Sequence, residues 1–385
     1  MFVALQQDVF GAIIWMVVLF GFFIMYPRLM LSQAIWQLEQ SARKLEAMSD
    51  RANVLATKKS GNRNAKKDID RFTEFFVIEP SSLDPFGIVR KIDQLIRQTE
   101  NRFHEFTDSI AKGKSWQEKR ELDYALRAAI GLKQLAKIVR HFVEMSKKFK
   151  NWQLALLIRM QMPLIEKIAE GEFKGAQAFM NGWPVGDSIG PLIAVSFLKK
   201  SKPIAEDVVA GEETIEGRRC VILKASGPVP SLGRIDEAIE RIFKKHKIAH
   251  VVTIDAAQKL EGEKSGSVAE GVGFAMGGIG QREIIENTLL PKKMPIDSIA
   301  IKVGMEEAIM PMLMGIYNAV QEGQEAVKRS VRRVPKGKKI LVIGVGNSCG
   351  IPNDNKNLDS VKKIVQKLNA KMIKEEKESK KGGWF

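Results

Sequence analysis

One stretch gathers the side chains best suited to chemistry: VVTIDAAQKLEGEKSGSVAEGVGFAMGGIG, Val251–Gly280. Asp255 closes an apolar run. Glu261, Glu263 and Glu270 follow as carboxylates, Lys264 as an amine, Ser265 and Ser267 as hydroxyls. A carboxylate beside an amine and a hydroxyl is the raw material of acid–base and nucleophilic catalysis. Asp255, Glu263 and Lys264 are therefore the catalytic candidates. Two other loops have suitable composition, GPVPSLGR (Gly227–Arg234) and GVGNSCGIPNDN (Gly344–Asn355). Glycine lets backbone amides approach a ligand, a helix N-terminus favours an anion, and Arg234 at such a terminus adds a charge-assisted clamp. Gly227, Ser231, Gly233, Arg234, Ser265, Ser267 and Asn347 are the ligand-binding candidates, and a small anionic molecule is the expected ligand. Asp187, in GWPVGDSIG, is a single carboxylate in a Gly/Pro-punctuated loop before an apolar run.

Several chemistries find no support. GEKSG lacks the spacing of a phosphate-binding P-loop, and GVGNSCG lies too near the C-terminus to open a dinucleotide-binding unit. Cys220 and Cys349 sit in no CxxC or Cys/His cluster, which argues against zinc and a disulfide framework. His104 and His141 lack ligand partners one helical turn on. The composition specifies no cofactor. The net charge of +16 over 385 residues favours anionic partners in general, without pointing specifically to nucleic acid.

The elements that must carry these residues follow from periodicity. From Arg219 the chain alternates short Val/Ile runs with amphipathic helices: RCVILKAS, AHVVTIDAA, IDSIAIKVG and KKILVIGVG are the strands. Such runs between helices predict a mostly parallel sheet covered on both faces. Ligands bind at the carboxyl edge of such sheets, where all three loops would lie. The segment from Met305 to Val334 reads as one long helix bent at Pro311. Residues 68–182 read as an all-helical domain. Ser115 and Glu118 form a capping box, Asn151 caps the next helix, and Pro163 ends or kinks it.

The N-terminus adds a membrane signal. Val9–Tyr26 is eighteen residues without a charge, about 27 Å of helix against a bilayer core of about 30 Å. Arg28, Arg43 and Lys44 follow it, so the positive-inside rule puts the N-terminus outside and the bulk in the cytoplasm of a single-pass protein. Leu31, Ile35, Leu38, Ala42, Leu45, Ser49, Ala52 and Ala56 then keep heptad spacing. That seam fits either a coiled coil, and hence a homo-oligomer, or one amphipathic helix packed on its own body. The expected organisation is an extracytoplasmic N-terminus and transmembrane helix (1–28), a juxtamembrane helix (29–57), a basic linker (58–67), the helical domain (68–182), the α/β domain (183–373) and a charged tail (374–385).

Across nearly its whole length the chain resembles an uncharacterised archaeal family with one N-terminal membrane helix. PVGDSIGPLIA, ASGPVPSLGRIDEAI, IDAAQKLEGEKSGSVAEGVGFAMGG and VIGVGNSCGIPN carry this resemblance. The α/β part is also similar to the phosphorylase/hydrolase-like fold of hydrogenase maturation proteases and the spore germination protease. That similarity implies a hydrolase-like site, with metal binding at Asp187 and a protease role for Asp255. The order of segments departs from it: the GVGN strand, which opens those folds, closes this one. Two classes of function follow: a membrane-anchored hydrolase, or a non-enzymatic membrane scaffold that binds a ligand or a partner.

Overall fold

The computed structural model describes residues 2–62, 64–75, 88–273, 289 and 292–382. The far end of the glycine-rich stretch, 274–280, lies outside these residues. So do the side chains at 9–13, 23 and 24 of the apolar N-terminal run.

Helix α1 (Phe2–Ser60) is one uninterrupted helix, about 88 Å long at the usual rise. The expected boundary between span and juxtamembrane helix does not interrupt it. Helix α2 (Ala65–Phe75) begins soon after, so the linker expected at 58–67 shrinks to residues 61–64. Helices α3 (Ile88–Ile110), α4 (Trp116–Phe149) and α5 (Trp152–Met180) complete an all-helical N-terminal region. The capping box forms as expected: the Glu118 amide donates to Ser115 Oγ at 3.2 Å, and the Ser115 amide donates to Glu118 at 3.0 Å. Asn151 caps α5 by accepting from the Leu154 amide at 3.1 Å. Pro163 does not end the helix, which continues through it to Met180.

The heptad seam is consumed within the chain. Leu38, Ala42, Leu45 and Ala52 are buried against Leu132, Ala136, Val139 and Val143 of α4 and Ile158 and Met162 of α5. The alanines let the helix backbones approach closely. Charges clasp the outside of this three-helix core: Arg140 of α4 reaches Glu39 at 2.6 Å and Glu46 at 2.8 Å, and Lys44 reaches Glu166 of α5 at 2.8 Å.

The C-terminal region is a seven-stranded mixed sheet in the order β1-β2-β3-β7-β4-β6-β5. Its centre is the expected parallel set: β3 (Arg218–Ala225), β7 (Lys339–Gly344), β4 (Ile248–Gln258) and β6 (Ile296–Val303). The last strand in the chain inserts between β3 and β4. Three strands were not expected, and all are antiparallel at the edges: β1 (Lys202–Ala205) and β2 (Val208–Ile215) beyond β3, and β5 (Val268–Val272) beyond β6. Helix α6 (Ile189–Ser196) and α8 (Ala319–Arg333) pack on one face with Ile222, Val252, Ile254 and Val342. Helix α7 (Ile235–Lys245) covers the other with Leu223, Val251, Leu341 and Ile343. The segment read as one helix bent at Pro311 is instead Met305–Ile309, Met314–Tyr317 and α8. Pro311 falls in the first break and bridges to Val185. Helix α9 (Leu358–Gly382) runs on through most of the expected charged tail.

Candidate functional site

The parallel register places the loops after β3, β7, β4 and β6 on one edge, as expected, but they separate into two groups. The first joins the loops after β3 and β7. The Gly227 amide donates to Asn353 Oδ1 at 2.8 Å, and Asn353 Nδ2 donates to Gly227 O at 2.9 Å. The Ser348 amide donates to Ser231 O at 2.9 Å, and the Gly350 amide to Pro228 O at 2.7 Å. A Cβ at Gly227 would lie 1.9 Å from the Ile351 carbonyl oxygen, and one at Gly233 2.4 Å from that of Asp207. Both glycines thus permit close packing of backbone on backbone. Asn347 is spent in the same way: its amide donates to Asp187 Oδ2 at 2.7 Å, and its side-chain oxygen accepts from the Cys349 amide at 2.9 Å.

Asp187 thereby holds the start of the loop after β7 through one carboxylate oxygen. Burial pushes its carboxyl above the usual range, with the Asn347 N–H opposing. Among the described residues, no group of three or more His, Cys, Asp or Glu is placed to hold an ion.

Lys224, which the sequence analysis passed over, lies beneath this junction. It is fully buried on β3. Its Nζ donates to Ala225 O at 2.6 Å, Asn353 Oδ1 at 3.2 Å and Ser348 Oγ at 3.3 Å. All three acceptors are neutral, and burial pulls the amine down to about 7. Cys349, also buried here, has its thiol pushed well up by desolvation, the opposite of an activated nucleophile.

The second group follows β4 and β6 and contains two of the expected catalytic residues, Glu263 and Lys264. Ser265 Oγ donates to Glu307 at 2.7 Å and accepts from Lys259 Nζ at 2.6 Å. Lys259 also reaches Glu307 directly at 2.8 Å, and the Gly304 amide donates to its other oxygen at 2.7 Å. Burial works to raise the Glu307 carboxyl, but Lys259, the Gly304 N–H and Ser265 outweigh it and hold it low. Glu263 pairs with Lys302 of β6 and accepts from the Leu260 amide at 2.7 Å. The Lys264 backbone oxygen accepts from Ser267 Oγ at 2.8 Å. Sequence pattern could not have found Glu307 as the hub, because it lies 42 residues beyond Ser265.

Asp255 stands between the groups. It is buried, in register with Ala300 of β6, one residue past the last β4–β7 pair, Ile254↔Gly344. The Val345 amide donates to Ile254 O at 2.8 Å, so the loop after β7 starts beside it, as expected. Strand alternation from Val251 puts Asp255 on the α7 face. Arg234 begins α7 on that face, but its guanidinium pairs with buried Asp236 at 2.9 Å.

Arg234, Ser231 and Gly233 do line a cleft, and its other wall comes from the helical region. Glu100 and His104 of α3, Arg120, Tyr124 and Arg127 of α4, and Glu206 and Asp207 of the β1–β2 turn complete it. The space enclosed is about 20 Å³, room for about one water-sized group. Arg120 reaches Asp207 at 2.5 Å and also contacts His104. Arg127 pairs with Asp123 at 2.6 Å and lies over the Phe103 and Tyr124 rings. Tyr124 Oη accepts from the Leu232 amide at 3.1 Å, and burial raises its phenol to about 12. Burial also raises the Glu100 carboxyl, against Arg127 and Arg234. Three arginines thus converge where α3 and α4 meet the sheet edge. Arg120 and Arg127 sit in an amphipathic helix, where sequence pattern alone assigns them to a solvated face.

Fold and site together define a two-part protein, a bundle built on one long N-terminal helix and docked through a polar cleft onto a mixed α/β sheet. The chain belongs to the family described as protein of unknown function DUF1512: the N-terminal domain of that family matches residues 12–182 and the C-terminal domain residues 185–352. No curated protein and no solved structure matches the chain.

Proposed function

We propose that this protein is a single-pass membrane scaffold, with its N-terminus outside and its bulk in the cytoplasm, that displays the α/β domain as a binding module. The observation that carries the reading is α1. Its first half exposes Ile14, Trp15, Val17, Val18, Leu19, Phe20 and Phe22, while its second half is the core of the bundle. Water does not tolerate so long an apolar cylinder without a partner, and a bilayer supplies one. Among the described residues no helix is long and apolar enough to cross a membrane, so the reading rests on the full run Val9–Tyr26 of the sequence. Carbonate extraction tests it: the full-length chain should stay in the membrane pellet, and external protease should spare the large domain in intact cells. Release into the supernatant would end the proposal.

Dispersal of the candidate site residues supports a binding role over hydrolysis. Asp187, Arg234 and Glu263 each have a separate partner. The arginine-lined cleft is the part of the edge suited to an anionic group, one no larger than the tip of a phosphate or carboxylate unless the cleft opens. Inorganic phosphate should raise the melting temperature of the wild type and not that of Arg120→Gln. A hydrolase reading rests on the Ser265 hydroxyl held between Lys259 and Glu307. Labelling of Ser265 by a hydroxyl-directed phosphonate would support it.

A further inference from the structure

We infer that the tip of the α4–α5 hairpin and the adjacent face of α1 form a site for an anionic phospholipid of the cytoplasmic leaflet. The inference rests on the membrane reading of α1.

The register of the three long helices carries it. Lys59, at the end of α1, donates to Glu121 near the start of α4 and to the Met180 carbonyl at the end of α5. Glu39, far back along α1, meets Arg140 and Lys147 near the end of α4. Helix α4 therefore runs against α1 and α5 runs with it. The turn between them, at Lys150 and Asn151, falls where α1 leaves its apolar run. Phe22, Tyr26, Met30 and Ala34 of α1 line one groove of about 550 Å³ with Trp152, Leu156 and Arg159 of α5.

The chemistry of that groove is graded along its length. The end nearer the start of α1 holds Phe22, Tyr26 and Trp152, all apolar or aromatic and all exposed. The other end holds Arg159, which has no ion pair among the described residues. If the bilayer surrounds Val9–Tyr26, the apolar end points toward the bilayer centre and Arg159 toward the cytoplasmic head groups. An acyl chain would lie along the groove with its phosphate at Arg159. The hairpin tip fits the same level. Phe149 is 61% and Leu157 63% exposed. Lys148 and Lys150 flank Phe149, both exposed. Aromatic rings with lysines around them belong at a head-group boundary, and each lysine there favours an anionic surface. A second copy of the chain would bury the apolar residues equally well, whereas an anionic head group answers the lysines and Arg159 together.

The test uses full-length protein reconstituted in vesicles of phosphatidylcholine and phosphatidylglycerol. Single cysteines at Val17, Phe149, Leu157 and Trp116 carry an environment-sensitive fluorophore, since Cys220 and Cys349 are buried. Brominated lipids should quench the labels at 17, 149 and 157 and leave the one at 116, at the far end of α4, untouched. Brominated phosphatidylglycerol should quench at 149 and 157 more strongly than brominated phosphatidylcholine. Arg159→Gln should cut that preference about fivefold, as expected for one charge at an anionic surface. Quenching at 17 but not at 149 and 157 would overturn the lipid site while leaving the anchor intact. Energy transfer between copies labelled at 149, without lipid quenching, would assign the face to a second copy and also overturn it. Absence of quenching at 17 would instead remove the membrane reading itself. Equal preference for both lipids in wild type and Arg159→Gln would overturn the head-group assignment.

Discussion

The carboxyl edge of one sheet closes in two different ways. Between β3 and β7 the loops are joined by backbone amides, carbonyls, the Asn353 amide and a lysine held by neutral oxygens. Beyond β4 and β6 the turn is joined by charge, with Glu307, Lys259, Glu263 and Lys302. The first arrangement depends on shape and excludes water. The second depends on ionisation and stays partly open. A mutation or a change of pH should therefore act on the two regions through different physics, even though both cap parallel strands of the same sheet.

The largest effect should come from shape in the neutral junction. Gly227→Ala brings a methyl to 1.9 Å from the Ile351 carbonyl oxygen and 2.8 Å from that of Ser348. Neither is a side-chain end that can swing away. Destabilisation should reach the upper part of the range for overpacking, about 3 kcal/mol, read by denaturant unfolding. A loss below about 0.5 kcal/mol would mean the loops slide freely and the junction is not the rigid half of the edge.

The second effect belongs to the charged turn. Glu307→Ala leaves the Lys259 amine, the Gly304 N–H and the Ser265 hydroxyl without their shared acceptor. The pair is largely buried, and losing one partner of such a group should cost about 2 kcal/mol. The acid side has a definite sign. The folded carboxyl is held below its ordinary range, so its stabilisation is complete above the unfolded carboxylate pKa and is lost as pH falls through the folded value. Glu307→Gln should therefore differ most from wild type at neutral pH and converge with it in acid. A constant difference across that range would mean that Glu307 is not charged in the fold.

These contrasts also separate what the sequence makes legible from what it hides. The four parallel strands and their common edge follow from Val/Ile runs, because a strand covered on both faces must be apolar throughout. β1 and β2 escape that signal: they form an edge hairpin in which β1 has no buried residue and β2 mixes buried, half-buried and exposed ones. Glycines 227 and 233 stand out in the sequence, but their use in loop packing depends on the neighbouring chain, which periodicity cannot supply. Lys224 hides for a related reason. A lysine in VILKAS reads as the exposed end of a strand, and only the fold reveals Ser348 and Asn353 around its amine. In α1, the same heptad residues fit packing within one chain or between copies, and the partner that satisfies them comes from α4 and α5.

Lys224 sharpens the comparison further, because it is a buried amine inside the neutral junction whose three acceptors carry no charge. Burial lowers its amine to about 7 from an ordinary 10.5. Between those values the unfolded chain holds a proton that the folded chain has released, so this group's contribution makes stability rise with pH across that window. Below the folded value both states are protonated and the penalty is complete. Lys224→Met keeps the aliphatic length and removes the titration. Its stability relative to wild type should therefore be more favourable at pH 7 than at pH 10, although lost donors to Ala225 O and Asn353 Oδ1 offset part of the gain at every pH. Thermal unfolding of both proteins across this range would show a difference that shrinks or reverses as pH rises. A difference independent of pH would place the amine in ordinary titration and end its role as a destabilising charge in the neutral junction.

The smallest effect should be at Glu263 and Lys302, on the exposed side of the charged turn. Their side chains remain 30% and 31% exposed. Water and salt screen such a pair, and ordering two long side chains offsets most of its attraction. Lys302 and the Leu260 amide hold the Glu263 carboxyl low, so whatever it contributes is present above the unfolded carboxylate pKa and fades in acid. Glu263→Gln keeps the amide acceptor for Leu260 and removes only the charge. Its unfolding midpoint should sit just below that of the wild type in dilute buffer and coincide with it in high salt. Under the same salt, Gly227→Ala should lose none of its effect, since a steric clash has no Debye length. If salt relieves both substitutions equally, then charge and shape do not divide this edge, and the separation of the two loop groups fails as an account of its stability.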